Sequence, residues 1–436
     1  MLTQVVKVVL IFCLVSCCCV SFNEKNNITR TDPKFPFVGE MFTGFIIVEN
    51  TTQANIFYHL YAFNQSQITK PAPLIIWFEG GPGCSSAFGN YEGFGPVNVN
   101  YNQDASSFIL EPNPYTWNKY AHLLYIDQPT GTGFSRANGL NVSLTTQASK
   151  HFQAFIARFY QLYPEMMNYP LYFIGESYAG KYIPVYTNDL LNNETFSKQV
   201  KIKGVAIGNG WSDPIRQLPT YGTFGYAAGM IDARSRDNLR IDEAKGLTLI
   251  RNENYFEATK ISNGLLARLT KLAGNASTFN YREYLSEDEE DAYADWLNTT
   301  KVQNFLNIPY KPYIDCNEDL SDDFFGDNTR SVAYIYPSLF DKIPVLIYNG
   351  LDDDNCDYEG TINYINALNW GDIKKFRNSK RVPWKLSDGT QAGLVKGYGN
   401  LTFLGLYNSG HLVTYDQPKV AEEMIYNFLN NVPFYH

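Results

Sequence analysis

Histidine is scarce in this chain, with five among 436 residues (His59, His122, His151, His411 and His436). Any chemistry that needs an imidazole therefore has few places to find one. No basic tract is present and the net charge is −9, which argues against a nucleic-acid partner or an anionic membrane surface. Beyond the N-terminus no unbroken apolar stretch reaches the ~20 residues that span a bilayer. Disorder is excluded from the other direction, because 44% of the residues are hydrophobic and 15% aromatic.

Cysteine is also sparse outside one place. Four of seven (Cys13, Cys17, Cys18 and Cys19) lie in the apolar run Val8–Phe22 behind Lys7. A short greasy segment with one early cation, small residues near Ser21 and a polar exit at Asn23 reads as a secretory signal peptide over residues 1–22. Its removal leaves Cys84, Cys316 and Cys356, an odd number that implies one bridge and one free thiol, or an intermolecular pair. Asn-x-Ser/Thr sites at Asn27, Asn50, Asn64, Asn141, Asn193, Asn275, Asn298 and Asn400 agree with a secretory route.

The pattern that follows is strand, helix, strand. Met41–Glu49 and Ile56–Phe63 read as paired strands, and Leu74–Phe78 and Leu123–Ile126 as buried parallel ones. A helix is expected over Leu144–Tyr163, then a strand at Leu171–Ile174, a helix from Ala179 to Leu191 and a strand at Ile202–Ile207. This alternation predicts an α/β fold with a mostly parallel sheet. From Trp211 to Leu320 charge and amphipathic spacing increase, which predicts a largely helical insertion; its acidic run Glu287–Asp291 reads as a solvated face. The sheet resumes at Val345–Tyr348, Thr402–Leu406 is the expected last strand, and Val420–Leu429 a closing helix.

Gly175-Glu176-Ser177-Tyr178-Ala179 lies between an apolar strand and a helix. A nucleophilic serine on such a sharp turn needs small residues two before and two after it, which Gly175 and Ala179 supply. Its base must follow in the order serine, acid, histidine, which leaves His411 and the terminal His436. His411 stands in a glycine-containing loop after a strand, whereas a terminal residue frays. The acid is expected after Val345–Tyr348, among Asp352, Asp353 and Asp354. Spacing does not choose between them. A calcium loop would alternate its oxygen ligands, and three consecutive aspartates do not.

Four blocks now make a pattern: Trp77-Phe78-Glu79-Gly80-Gly81-Pro82-Gly83-Cys84-Ser85-Ser86, Asp127-Gln128-Pro129-Thr130-Gly131-Thr132-Gly133-Phe134-Ser135, Gly175-Glu176-Ser177-Tyr178-Ala179-Gly180, and Gly410-His411 with Asp416-Gln417-Pro418. Together they resemble the serine carboxypeptidases, the family of cathepsin A. The resemblance implies an α/β-hydrolase core over residues 23–210 and 321–436, with a helical cap inserted at 211–320. It implies a triad of Ser177, Asp353 and His411. Asp353 is selected because the family's acid stands three residues before a cysteine, here Cys356, and three after a glycine, here Gly350. Leu351 departs from a common family aspartate.

By the same resemblance the oxyanion hole is the backbone N–H of Gly81 and Tyr178, Cys84 pairs with Cys316, and Cys356 stays free near the pocket for the substrate's terminal residue. The substrate's terminal carboxylate falls to Glu79, Gly80 and Glu176, with Glu92 in support. A carboxyl group donates to a carboxylate only while protonated, so the family's preference for mild acid follows in outline. The family usually has an amide at position 79, and Glu79 is the notable departure. The implied activity is release of C-terminal amino acids from peptides and proteins, with no cofactor or metal, in a lysosome, a vacuole or outside the cell. An acyltransferase or esterase on the same triad is the alternative, and a secreted binding protein with a dead site a more distant one. The oligomeric state, a homodimer included, is left open.

Overall fold

The computed structural model describes residues 23–27, 35–37, 39–63, 71–102, 107–283, 291–309 and 311–435. Residues 1–22 and Asn64, with Glu287–Glu290 of the acidic run, lie outside them. Thirteen strands are present among the described residues: β1 (Asn26–Asn27), β2 (Met41–Glu49), β3 (Ala54–Tyr61), β4 (Leu74–Phe78), β5 (Val97–Tyr101), β6 (Phe108–Pro112), β7 (His122–Ile126), β8 (Pro170–Glu176), β9 (Lys201–Gly208), β10 (Val345–Gly350), β11 (Val382–Lys385), β12 (Gln391–Tyr398) and β13 (Leu401–Leu406).

Eleven of these form one sheet in the order β1-β2-β3-β7-β4-β8-β9-β10-β13-β12-β11. The six central strands, β7 to β13 in that order, are mutually parallel. Both flanks are antiparallel, through β1, β2 and β3 on one side and β12 and β11 on the other. The strands β5 and β6 form a separate hairpin.

The central strands are apolar on both faces because both are covered. Along β4, Ile76 and Phe78 point to one side and pack with Phe152, Phe155 and Phe159 of the helix Thr145–Leu162. Ile75 and Trp77 point to the other, where Val420, Met424 and Phe428 of the helix Pro418–Asn430 meet them. At ~25 cal/mol per Å² of buried apolar surface, these two layers dominate the stability of the fold. Between β9 and β10 the described chain has no strand and a succession of helices, the longest Ala233–Arg251 and Tyr255–Leu272. That succession runs on to a short helix at Tyr336–Phe340, directly before β10.

The hairpin β5–β6 and the edge pair β11–β12 were not part of the sequence expectation. Nor were β1 and the helices Glu194–Gln199, Tyr358–Ala367 and Ile373–Asn378; the strands and helices that were expected fall within a few residues of their places. Parallel order has one consequence for function: the loops after β4, β7, β8, β9, β10 and β13 emerge at the same edge of the sheet.

Candidate active site

Ser177 opens the turn after β8 with φ of 60°, a left-handed conformation that is costly for a residue with a side chain. Backbone hydrogen bonds hold it there: its N–H donates to Gly208 at 3.0 Å, and its carbonyl accepts from Gly180 and Trp211 at 2.9 Å each. Gly175 is required by crowding, since a Cβ there would come 2.2 Å from the Phe78 carbonyl oxygen and 2.8 Å from the Ala179 Cβ.

The loop after β4 lies against this turn. A Cβ on Gly80 would stand 2.9 Å from both Ser177 Oγ and the Tyr178 nitrogen. Gly81, with φ of 102°, shares with Ser177 and Tyr178 a cavity of about 220 Å³. Trp211, Leu266, Asn328, Asn355 and Cys356 are among the residues of its wall. The disulfide Cys84–Cys316 fastens this loop to the region before β10. From the loop after β7, Asp127 accepts Ser85 Oγ–H at 2.6 Å and the Phe134 N–H at 2.8 Å. Burial raises the Asp127 carboxyl to about 6.

His411 follows β13 and Asp353 follows β10. Imidazole Nδ1 is 2.9 Å from Asp353 Oδ2, and both side chains are buried. With the carboxylate accepting, the proton of this bond is on Nδ1 and Nε2 carries the free lone pair. Among the described residues Nε2 has no hydrogen-bond partner, so Ser177 Oγ is not bonded to it here. Such contacts are often long until substrate binds. Of the three aspartates, only Asp353 bonds to the ring: Asp352 pairs with Arg282 at 3.0 Å, and Asp354 is buried with neither oxygen partnered. Asp353 Oδ1 accepts the N–H groups of Asn355 and Cys356, at 2.8 and 3.1 Å.

Glu79 is buried, accepting Trp77 Nε1–H at 2.8 Å and the Gly80 N–H at 3.2 Å. Burial pushes its carboxyl up to about 7, against the pull of those two donors. Glu176 is fully buried with both oxygens unpartnered, and burial followed by the charge of Glu79 raises it well above the carboxylate range. Glu92 is raised to about 8 by burial, then by Asp291 and Asp315. Cys356 is a buried free thiol, pushed up first by burial and then by Asp353. No group of His, Cys, Asp and Glu among the described residues is arranged to hold a metal ion.

Three participants escaped the sequence reading. Asn209, after β9, donates to Asp353 Oδ2 at 2.6 Å and to the Gly410 carbonyl at 3.2 Å, while its Oδ1 accepts the Gly350 N–H at 3.2 Å. Lys181 is wholly buried and paired with Asp327 at 3.1 Å, and Tyr178 Oη donates to the same carboxylate at 2.7 Å. The signals were a Gly-Asn-Gly run after a strand and a cation on an otherwise apolar helix face. Among the sequons, Asn50, Asn141, Asn193, Asn275, Asn298 and Asn400 are exposed, and Asn27 lies in β1.

A sequence profile of the serine carboxypeptidases matches residues 32–431. The chain belongs to the serine carboxypeptidase family. It is 31% identical over 387 residues to serine carboxypeptidase-like 50 of Arabidopsis thaliana, covering 88% of this chain and 86% of that one. It is 32% identical over 405 residues to the venom serine carboxypeptidase of Apis mellifera, covering 90% and 85%. The crystal structure of the prohormone-processing carboxypeptidase Kex1(delta)p from Saccharomyces cerevisiae superposes with a TM-score of 0.80 at 27% identity, over 91% of this chain and 93% of that one. The fold is thus the α/β hydrolase of serine carboxypeptidases, and the enzyme class is serine-type carboxypeptidase. No helix among the described residues is long and apolar enough to cross a membrane.

Proposed function

We propose that this carboxypeptidase releases C-terminal residues through an acyl-enzyme on Ser177, with His411 as base and Asp353 as its partner. The observation that carries the reading is the Asp353–His411 bond, joined through Asn209 to the strand end that holds the Ser177 turn. His411 Nε2 takes the hydroxyl proton as Ser177 Oγ attacks the last peptide carbonyl. The Gly81 and Tyr178 N–H groups hold the developing oxyanion, worth about 2.7–4 kcal/mol per donor. The same proton passes to the departing amine, and water then hydrolyses the ester by the reverse sequence.

The terminal carboxylate is read by Glu79, Gly80 and Glu176, with Glu92 behind them. Glu79 and Glu176 are buried close enough that the charge of one raises the other, so the pair retains a proton to donate at mildly acidic pH. In this reading the cavity beside Ser177, with Cys356 in its wall, receives a substrate side chain next to the scissile bond. Residues 1–22 are a cleaved signal, 211–320 a cap on the core, and the sequons are glycosylated. The Cys84–Cys316 bridge supports passage through the secretory route to a lysosome, a vacuole or the exterior.

The test pairs fluorophosphonate labelling with assay of a blocked dipeptide at mildly acidic pH. Wild type is expected to label and to release the terminal amino acid, and Ser177→Ala to do neither. Labelling without release from any peptide points instead to acyl transfer or ester hydrolysis. A wild-type chain that does not label is a dead site.

A further inference from the structure

Residues 277–283 form a strap, from the helical stretch between β9 and β10, that crosses both the acid loop and the base loop. The Phe279 ring stacks on the His411 imidazole with centroids 5.3 Å apart and planes inclined by 22°. The Phe279 carbonyl accepts the His411 backbone N–H at 2.5 Å. The Tyr281 N–H donates to the Asp352 carbonyl at 3.0 Å, and the Arg282 guanidinium pairs with the Asp352 carboxylate at 3.0 Å. Asn280 Nδ2 reaches Asp416 Oδ2 at 3.3 Å, and that oxygen also accepts the Gly410 N–H at 2.6 Å.

We infer that this strap is a positioning element for the catalytic base, with Phe279 as the platform of the imidazole and Arg282 as the fastener to the acid loop. The inference rests on the hydrolase reading above. A single bond from Nδ1 to Asp353 leaves the ring free to turn about that axis, which would swing Nε2 away from the nucleophile. Contact across the ring face removes that freedom. The backbone is shaped for it: a Cβ on Gly410 would lie 2.0 Å from the Phe279 carbonyl oxygen and 2.7 Å from the Asn280 Cβ. Glycine at 410 is what admits the strap. Phe279 contributes little to the core, since 43% of it is exposed. Its well-defined contact is the imidazole.

The experiment is steady-state hydrolysis of a blocked dipeptide by the full chain, comparing wild type, Phe279→Ala, Phe279→Tyr and Arg282→Ala, with thermal unfolding of each. Misplacement of a reacting group by about 1 Å costs on the order of 10²-fold. Phe279→Ala is therefore expected to lose about that factor in kcat, with KM and the unfolding midpoint near wild type. Phe279→Tyr keeps the ring and restores kcat. Arg282→Ala, at a residue that reaches the acid loop through Asp352, lowers kcat by a smaller factor at unchanged KM. It decides the matter if Phe279→Ala does not fold. Unchanged kcat in both variants overturns the inference. So does a rise in KM alone, which would make Phe279 a wall of the substrate site. Wild type that neither labels nor cleaves refutes the hydrolase reading itself; active wild type matched by both variants removes only the strap.

Discussion

Asn209 Nδ2 lies 2.6 Å from Asp353 Oδ2, the oxygen that also accepts from His411. One amide thereby ties the end of β9 to both the acid and the loop of the base. A hydrogen bond to a charged group contributes about 1.5–3 kcal/mol. Asn209→Gly is the informative variant, because φ here is 45°, which glycine adopts without strain. It is expected to lower kcat/KM by roughly 10- to 100-fold while the enzyme stays folded. Circular dichroism and peptide kinetics on one preparation check both halves.

Glu79 sets a pH dependence whose sign follows from its burial. Its carboxyl is raised to about 7, so below that pH it is protonated and, in the proposed reading, donates to the substrate carboxylate. As pH rises through 7 it ionises and repels that carboxylate. KM for peptides is expected to climb on the alkaline side in wild type. In Glu79→Asn, where an amide donates at every pH, that climb should flatten. An alkaline limb that stays in place in the variant assigns it to another group.

The buried pair Lys181–Asp327 holds Tyr178, the proposed oxyanion donor, through the hydroxyl bonded to Asp327. Burial lowers the Lys181 ammonium to about 8, against the pull of Asp327. Lys181→Met strands a buried carboxylate and is expected to cost about 3–5 kcal/mol in denaturant unfolding. The double variant Lys181→Met/Asp327→Asn should recover most of it. Equal losses in single and double variants would show that packing, not charge, is at stake.

The bridge Cys84–Cys316 joins positions 232 residues apart and anchors the loop that carries Gly81. Replacing both cysteines by alanine is expected to destabilise the chain by about 2–5 kcal/mol. Loss of activity before global unfolding, as temperature rises, would mark the loop after β4 as the first part to loosen.

The parallel strands were legible because burial on both faces writes continuous apolar runs, as in Leu74–Phe78 and Leu123–Ile126. The turn at Ser177 was legible through the small residues its crowding demands. The edge pair β11–β12 was not: Val382–Lys385 contains Pro383 and two half-exposed or exposed neighbours, and Gln391–Tyr398 contains two glycines. Gly393 is needed because a Cβ would come 2.2 Å from the Gly405 carbonyl oxygen, a constraint visible only after folding. Asn209, Lys181 and Phe279 act as single residues against distant partners, and no local periodicity marks them. Spacing did not choose among Asp352, Asp353 and Asp354; the family resemblance chose Asp353, the one whose side chain bonds to His411.

The central claim is that this site reads a free C-terminus before Ser177 acts. Mass spectrometry of one peptide incubated in two forms, with a free or an amidated terminus, tests it most directly. The account predicts a ladder losing one residue at a time from the free form, with the amidated form intact and Ser177→Ala inert toward both. Equal shortening of the two forms, or cleavage at interior bonds by wild type, would contradict it.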